Sequence, residues 1–423
     1  MFSNIPEPIL SIGLAVIGGV AGWILSRFLE RRAVQRALHA AQDARKSAFE
    51  SLRESAPAQY FRGTPEERTF VVEKISITNF KNIEQLTLDL MRDSSLKGNW
   101  SCIAGINGAG KSAILQALCI VLLGEKYAAE LGSTRLGRMI RRTPDGPLDS
   151  AKIEAWIRLN GESLTRVAIP LFKEGVDEVA LRSDPDYSKM RQLWEDMKTS
   201  VLVSYGAARN LSQDEERKHE SQASRVQRQM TLFDPLTRIA DVEVLVKAGA
   251  GNENKRRTLK RLLEKILDKD ELQVWTEGDR LKFGRTGTRV DAIDLPDGFR
   301  STVAWLADLC AAWHDSAPEG SSGRDTDPSR MTGIVLIDEI DLHLHPSMAR
   351  SIVPRLREVL PHVQFIVTTH SPLVLGSFDF NELIVLEADE QGVVSTRSLD
   401  RQVFGFSMDE IYKWLMRTPP HST

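Results

Sequence analysis

The sequence predicts an α/β fold in which parallel strands bring their carboxyl ends to one edge of a sheet. Three segments carry the prediction. Gly105-Ile106-Asn107-Gly108-Ala109-Gly110-Lys111-Ser112 lies between a strand-like Ser101–Ala104 and a helical run, Ala113–Leu123. Gly333–Ile337 is a continuous apolar run that ends in Asp338-Glu339. Gln364–Val367 is a third apolar run, ending in Thr368-Thr369-His370-Ser371-Pro372. Short apolar runs that end in polar groups are the pattern of buried parallel strands.

The first segment satisfies the phosphate-cradling pattern G-x-x-x-x-G-K-[ST]. Glycines let backbone N–H groups approach phosphate closely, and the helix that follows adds unpaired donors and its dipole. Asn107, Gly108, Ala109, Gly110, Lys111, Ser112 and Ala113 are therefore the candidate nucleotide-binding residues. Lys111 is expected on the β and γ phosphates of ATP, and the Ser112 hydroxyl on magnesium. Asp338 is the second expected magnesium ligand. Glu339 has the chemistry to polarise the attacking water. His370 stands where a histidine that senses the γ phosphate belongs, so Glu339, His370 and Lys111 form the candidate catalytic set.

Leu295-Pro296-Asp297-Gly298-Phe299-Arg300-Ser301 opens an apolar helix, Thr302–Trp313, and resembles the signature loop of ABC-type ATPases. Ile340-Asp341-Leu342-His343-Leu344-His345-Pro346 follows the acidic pair, and Ile75-Ser76-Ile77-Thr78-Asn79-Phe80-Lys81-Asn82 opens the region. Taken together, these segments resemble the OLD/RecF/SMC branch of ABC ATPases over roughly Phe70–Trp414. The resemblance implies an ATPase head of the P-loop NTPase class with a helical insertion. It also implies a homodimer in which Pro296, Asp297 and Gly298 of one head meet the phosphate site of the other, with Asp341 in the D-loop. Two positions depart from the family pattern. Pro296 replaces the usual serine, and no clear Q-loop glutamine is present, Tyr205-Gly206-Ala207-Ala208-Arg209 standing in its place. Arg209 either touches phosphate or caps a helix.

The chain has 423 residues, 42% hydrophobic and 27% charged, with a net charge of −3. That composition suits a globular core and argues against generic attraction to nucleic acid. Cys102, Cys119 and Cys310 lie in apolar stretches without metal-ligand spacing and read as reduced core thiols.

Pro8–Ser26 contains no charged residue. At about 1.5 Å per residue this helix would be about 28 Å long, matching a hydrocarbon core of roughly 30 Å. Arg27, Arg31, Arg32 and Arg36 follow it, so the positive-inside rule places the rest of the chain in the cytoplasm. The expectation is a single-pass anchor in a bacterial inner membrane. Gly18 and Gly22 form a G-x-x-x-G, read either as a self-association face or as ordinary membrane glycine.

The expected organisation is an N-terminal segment 1–28 with its span at about 8–26, and a helical linker 29–68. A head at 69–418 with an insertion at about 209–270 follows, then a tail at 419–423. Within the insertion, Leu259, Leu262, Leu263, Ile266 and Leu267 share one face of a helix. Opposite them stand Lys255, Arg256, Arg257, Lys260, Arg261 and Lys265, either a DNA-contacting stripe or a solvated face. Ser316–Ser329 reads as a surface loop, and strands are expected at Glu382–Leu386 and Val393–Thr396. The Toprim nuclease domain of the OLD family is not expected, because only Leu373–Thr423 follows His370. The resemblance points to an anti-phage defence ATPase regulating a separate effector protein. A DNA-repair ATPase, a transporter subunit and an ATP-gated scaffold are the alternatives.

Overall fold

Side chains alternate between two faces along a strand, so a strand buried on both sides must be apolar throughout. Gly333–Ile337 meets that requirement at all five positions, and it occupies an interior position in the six-stranded sheet, the largest among the described residues. The computed structural model describes residues 69–91, 100–161, 163–209, 211–212, 225–240, 253–267, 272–278, 280–284, 288–317, 324–389 and 393–397. The expected membrane span, the linker and the G-x-x-x-G lie outside them.

The first sheet is antiparallel. It contains β1 (Phe70–Phe80) and β2 (Ile83–Asp89). After β3 (Trp100–Gly105) and the two-residue pairs β4 (Arg142–Thr143) and β5 (Gly146–Pro147) come β6 (Ser150–Leu159), β7 (Ser163–Phe172) and β8 (Gly175–Val176). The order is β2-β1-β6-β7-β8.

The second sheet is built from β3 and β9 (Val201–Tyr205), with β14 (Gly333–Ile337), β15 (Val363–Thr369), β16 (Leu383–Ala388) and β17 (Val394–Arg397). Between β9 and β14 lie the small strands β10 (Leu211–Ser212), β11 (Ile239–Ala240), β12 (Gln273–Glu277) and β13 (Arg280–Gly284). The order is β17-β16-β3-β15-β14-β9, parallel throughout except for the antiparallel edge strand β17.

Odd and even positions of the parallel strands feed two cores. Val335, Ile337, Phe365 and Val367 face one side with the helices Glu253–Ile266, Asp297–Asp315 and Pro346–Val359. Ile334, Leu336 and Ile366 face the other, with the antiparallel sheet and the helix α1 (Lys111–Glu130). Gln364 fastens the sheets together. Its amide accepts from the Val72 N–H at 2.8 Å and donates to the Val72 carbonyl at 2.9 Å, continuing the backbone pairing with a side chain.

α1 is long and apolar enough to cross a membrane, and among the described helices it alone meets that description. Its residues from Ala113 to Gly124 are buried in the core beside the antiparallel sheet, which accounts for the apolar composition. It kinks at Gly124, where φ is +77°. A Cβ there would lie 2.6 Å from Trp194 Cγ, and the Trp194 indole donates to the Val121 carbonyl at 3.0 Å. A break in the helical ladder leaves a carbonyl that needs a partner, and Trp194 fills both the space and the bond.

The insertion is only partly helical as described, with one long helix, Glu253–Ile266, and short turns and strand pairs around it. Its four apolar residues Leu259, Leu262, Leu263 and Ile266 are buried, as is Leu267 just after it. Five of the six cations named above are engaged locally: Lys255 with Asp315 at 2.5 Å, Arg256 and Arg257 with Glu253, Lys260 with Glu264 at 3.7 Å, and Arg261 with Thr326 at 2.8 Å. The expected surface loop Ser316–Ser329 is corrected at Arg324, which is buried with its guanidinium 4.1 Å from the Trp313 ring. All three cysteines are free and buried. Burial pushes the Cys119 and Cys310 thiols up to about 12, so they stay protonated.

Candidate nucleotide site

Ligands of open α/β sheets bind outside the carboxyl ends of the strands. Here β3 ends at Gly105, β14 at Ile337, β15 at Thr369 and β9 at Tyr205, and the register aligns Ile337 with both Tyr205 and Val367. Every loop with a predicted site residue from the Gly105, Asp338 and His370 segments leaves this edge.

The loop after β3 turns through Gly108 at φ +84° and Gly110 at φ +94°, and Gly110 is the N-cap of α1. A Cβ on Gly105 would meet the Leu386 carbonyl at 2.9 Å, and one on Gly108 would enter open space. Ile106, Asn107 and Gly108 are exposed, while Ala109, Ala113 and Lys111 are buried. The Lys111 ammonium donates to the carbonyls of Gly105 at 2.8 Å and Ile106 at 3.1 Å. Burial pulls it below the usual lysine range, and Glu339, Asp338 and Asp341 oppose that pull.

The Ser112 hydroxyl donates to Asp338 Oδ2 at 2.6 Å across 226 positions of sequence. The other carboxylate oxygen accepts from Thr368 Oγ1 at 2.5 Å. No cluster of three or more His, Cys, Asp or Glu side chains suited to a metal occurs among the described residues. A hydroxyl beside one carboxylate nevertheless fits magnesium, which keeps several waters and is usually held by one or two protein oxygens together with substrate phosphates.

Glu339 adopts φ +49°, a left-handed conformation that costs a non-glycine residue roughly 1–2 kcal/mol. Its N–H donates to Thr368 Oγ1 at 2.7 Å, and its carbonyl accepts from Arg209. His370 Nδ1 lies 3.6 Å from Glu339 Oε1. Asp341 accepts from the Thr369 hydroxyl, which in turn accepts the Ser371 N–H at 3.0 Å.

The signature-like segment differs from its expected boundaries. The helix runs from Asp297 to Asp315, so Asp297 and Gly298 form its first turn and Pro296 its N-cap, without a side-chain capping bond. Pro296 and Asp297 are exposed. Gly298 lies against the residues after Asp341, where a Cβ would stand 2.1 Å from the His343 carbonyl of the same chain. His345 Nδ1 accepts from the Ser347 N–H at 3.4 Å, capping Pro346–Val359.

Sequence reasoning left Thr368, Asn82 and Lys81 without roles. Asn82, in the β1–β2 turn, donates to the Gly108 carbonyl at 3.0 Å and so clips the loop from outside. Burial lowers the Lys81 ammonium, and Asp338 counters it, which puts that lysine in the field of the same acid. The available signal was the turn Asn79–Asn82 itself, where Asn79 and Lys81 both take positive φ. Arg209 caps no helix terminus in its described contacts. It is 5% exposed and reaches the Glu339 backbone.

The chain is 28% identical over 346 residues to the Septu protein PtuA of Bacillus mycoides (strain KBAB4), covering 80% of this chain and 43% of that one. It is 31% identical over 135 residues to the "Retron Ec83 probable ATPase" of Escherichia coli, covering 32% and 24% respectively. The chain thus spans less than half the length of either relative. Among solved structures it is similar to an Smc head bound to the C-winged helix domain of ScpA, with a TM-score of 0.49 and 16% identity, covering 78% of this chain and 98% of that one. A family model described as "AAA domain, putative AbiEii toxin, Type IV TA system" matches residues 101–376, well over half of the sequence, and the chain belongs to that family.

Proposed function

We propose that this chain is a magnesium-dependent ATPase head that hydrolyses ATP at a head-to-head homodimer interface and regulates a separate effector in bacterial anti-phage defence. The observation that carries the nucleotide chemistry is the 2.6 Å contact between Ser112 and Asp338, which unites the phosphate loop with the acidic strand end. The loop N–H groups and the amino end of α1 bind the phosphates. Lys111 exchanges its two carbonyl partners for phosphate oxygens. Magnesium, when bound, neutralises charge on the phosphates. Glu339 takes the proton of the attacking water as general base, and His370, at 3.6 Å, orients the carboxylate and reads the γ phosphate.

Pro296, Asp297 and Gly298 face the partner head, and the exposure of Pro296 and Asp297 at a helix amino terminus supports this reading. The family membership and the likeness to Septu and retron ATPases support the defence setting. The uncharged stretch Pro8–Ser26 and the arginines after it support a single-pass anchor in the inner membrane.

The test is steady-state ATP turnover by the full chain in lipid nanodiscs with magnesium. Lys111→Ala is expected to weaken nucleotide binding by about 10- to 100-fold, whereas Glu339→Gln binds ATP but loses turnover by roughly 10²–10⁴-fold. Binding without any turnover that Glu339→Gln depresses would identify a nucleotide-gated scaffold instead. Turnover that rises only with DNA would move the reading to DNA maintenance. Copurification on the Glu339→Gln chain with ATP, against a Lys111→Ala control, identifies the effector.

A further inference from the structure

Arg209 is the residue that the reaction scheme above leaves unused, and its surroundings are unusual for an arginine. Its guanidinium is buried at the carboxyl edge of the sheet, and the Glu339 backbone carbonyl is its described hydrogen-bond partner. Nε is buried with no hydrogen-bond partner among the described residues. Burial lowers its pKa to about 10 against the opposing fields of Asp341, Asp338 and Glu339, so it remains charged at neutral pH.

The turn that delivers it is fixed by Thr231. Gly206 passes so close to the Thr231 carbonyl that a Cβ would sit 2.0 Å away, and its N–H donates to Thr231 Oγ1 at 3.2 Å. Thr231 Oγ1 also donates to the Ser204 carbonyl at 3.1 Å. Glu339, in turn, holds a left-handed backbone that persists only if its surroundings over-determine it. Thr368 holds its N–H from β15, and Arg209 holds its carbonyl from the end of β9.

We propose that Arg209 is a positioning residue for hydrolysis: by gripping the Glu339 carbonyl it fixes the strained peptide that aims the Glu339 carboxylate at water. The inference rests on the reading of Glu339 as the general base. A displacement of about 1 Å at a reacting group can cost 10²-fold in rate, whereas phosphate binding by the loop and Lys111 does not pass through this peptide.

The experiment is a double-mutant cycle on the full chain in nanodiscs, reading single-turnover hydrolysis, equilibrium affinity for a fluorescent ATP analogue and thermal midpoint. Arg209→Met is expected to slow hydrolysis about 10²-fold while affinity changes less than about threefold. Arg209→Lys, which keeps the charge but not the planar fork, is expected to recover only part of the rate. In a Glu339→Gln background Arg209→Met should slow the residual rate less than about threefold, because the group it positions is gone.

An Arg209→Met loss that is equally large in the Glu339→Gln background overturns the proposal. So does a tenfold loss of affinity with the rate kept, which makes Arg209 a phosphate ligand. If Arg209→Met does not fold, the same cycle with Arg209→Lys decides. Should Glu339→Gln alone leave the rate unchanged, the general-base assignment fails, an outcome distinct from additivity in the cycle.

Discussion

Arg228 lies in the described part of the insertion, and its side chain is buried against the helix Asp297–Asp315. It reaches Asp308 Oδ1 at 2.5 Å, the Asp308 carbonyl at 3.1 Å and Asp315 Oδ2 at 2.6 Å, and its side chain and that of Asp308 are 7% and 9% exposed. Replacing it with methionine keeps the bulk and removes the charge. Asp315 retains Lys255 at 2.5 Å, so the damage concentrates on Asp308, left with the Tyr205 hydroxyl at 2.9 Å. Breaking a buried pair by removing one partner costs about 3–5 kcal/mol, and the surviving contacts place Arg228→Met near the lower end. At roughly 2 °C per kcal/mol for a unit of this size, the thermal midpoint should fall by about 6 °C. Scanning calorimetry of the full chain in detergent provides the measurement. Adding Asp308→Leu should recover most of the loss, because the Tyr205 hydroxyl keeps the Trp305 carbonyl at 3.1 Å and an apolar pair replaces the ionic one. A fall under about 2 °C in Arg228→Met, or a double variant no better than the single, would show that this pair is not the desolvated contact described.

Gly124→Ala combines a disfavoured φ of +77° with a Cβ 2.6 Å from Trp194, and should lower stability by about 2–4 kcal/mol in a urea titration. The pH dependence of stability should carry a histidine signature. Burial depresses His314 to about 4 from the ordinary histidine value of 6.5, so the unfolded chain binds the proton first and stability falls as pH drops from 6.5 towards 4. The shift corresponds to at most about 3 kcal/mol, nearer 2 after discounting for solvent contact, and a His314→Gln chain with an unchanged urea-midpoint profile over that window would remove the attribution. Lys111→Ala should weaken ATP binding by about 10- to 100-fold in a fluorescent-nucleotide titration, the worth of a charge-assisted contact. Asn82→Ala, which removes only the clip on Gly108, should weaken it about fivefold with the thermal midpoint kept.

Where the sequence was legible, each element announced itself through a local pattern, and where it was not, the deciding partner lay far along the chain. Gly333–Ile337 falls where its apolar run predicts. The β15 strand continues past the expected Val367 to Thr369, because the hydroxyls of Thr368 and Thr369 are buried by bonding to Asp338 and Asp341. A period-two reading stops at such residues, since their polarity is satisfied only in three dimensions. The signature-like helix starts at Asp297 instead of Thr302, because a proline N-cap and an acid in the first turn suit a helix start that was read as loop. For Arg209 and Gln364 no local signal pointed to the partner. Their partners stand 130 and 292 positions away.

Tyr205 shows why the site depends on burial as much as on its motif residues. Its carbonyl accepts the Asp338 N–H at 2.8 Å, extending the β9–β14 ladder to the acid itself, while its hydroxyl bonds Asp308 at 2.9 Å and the Trp305 carbonyl at 3.1 Å on the signature-like helix. Burial and the Asp308 carboxylate both push the phenol well above the usual tyrosine range, so it stays neutral and keeps donating. One side chain thus binds the strand that carries Asp338 to the helix that begins at Asp297. Separating strand from helix would strand a buried hydroxyl and a buried carboxylate together, a cost of several kcal/mol against a total stability of about 5–15. The Tyr205 hydroxyl therefore resists separation of strand from helix. Glu339, the next residue along from Asp338, is held instead through its backbone, its N–H by Thr368 Oγ1 and its carbonyl by Arg209.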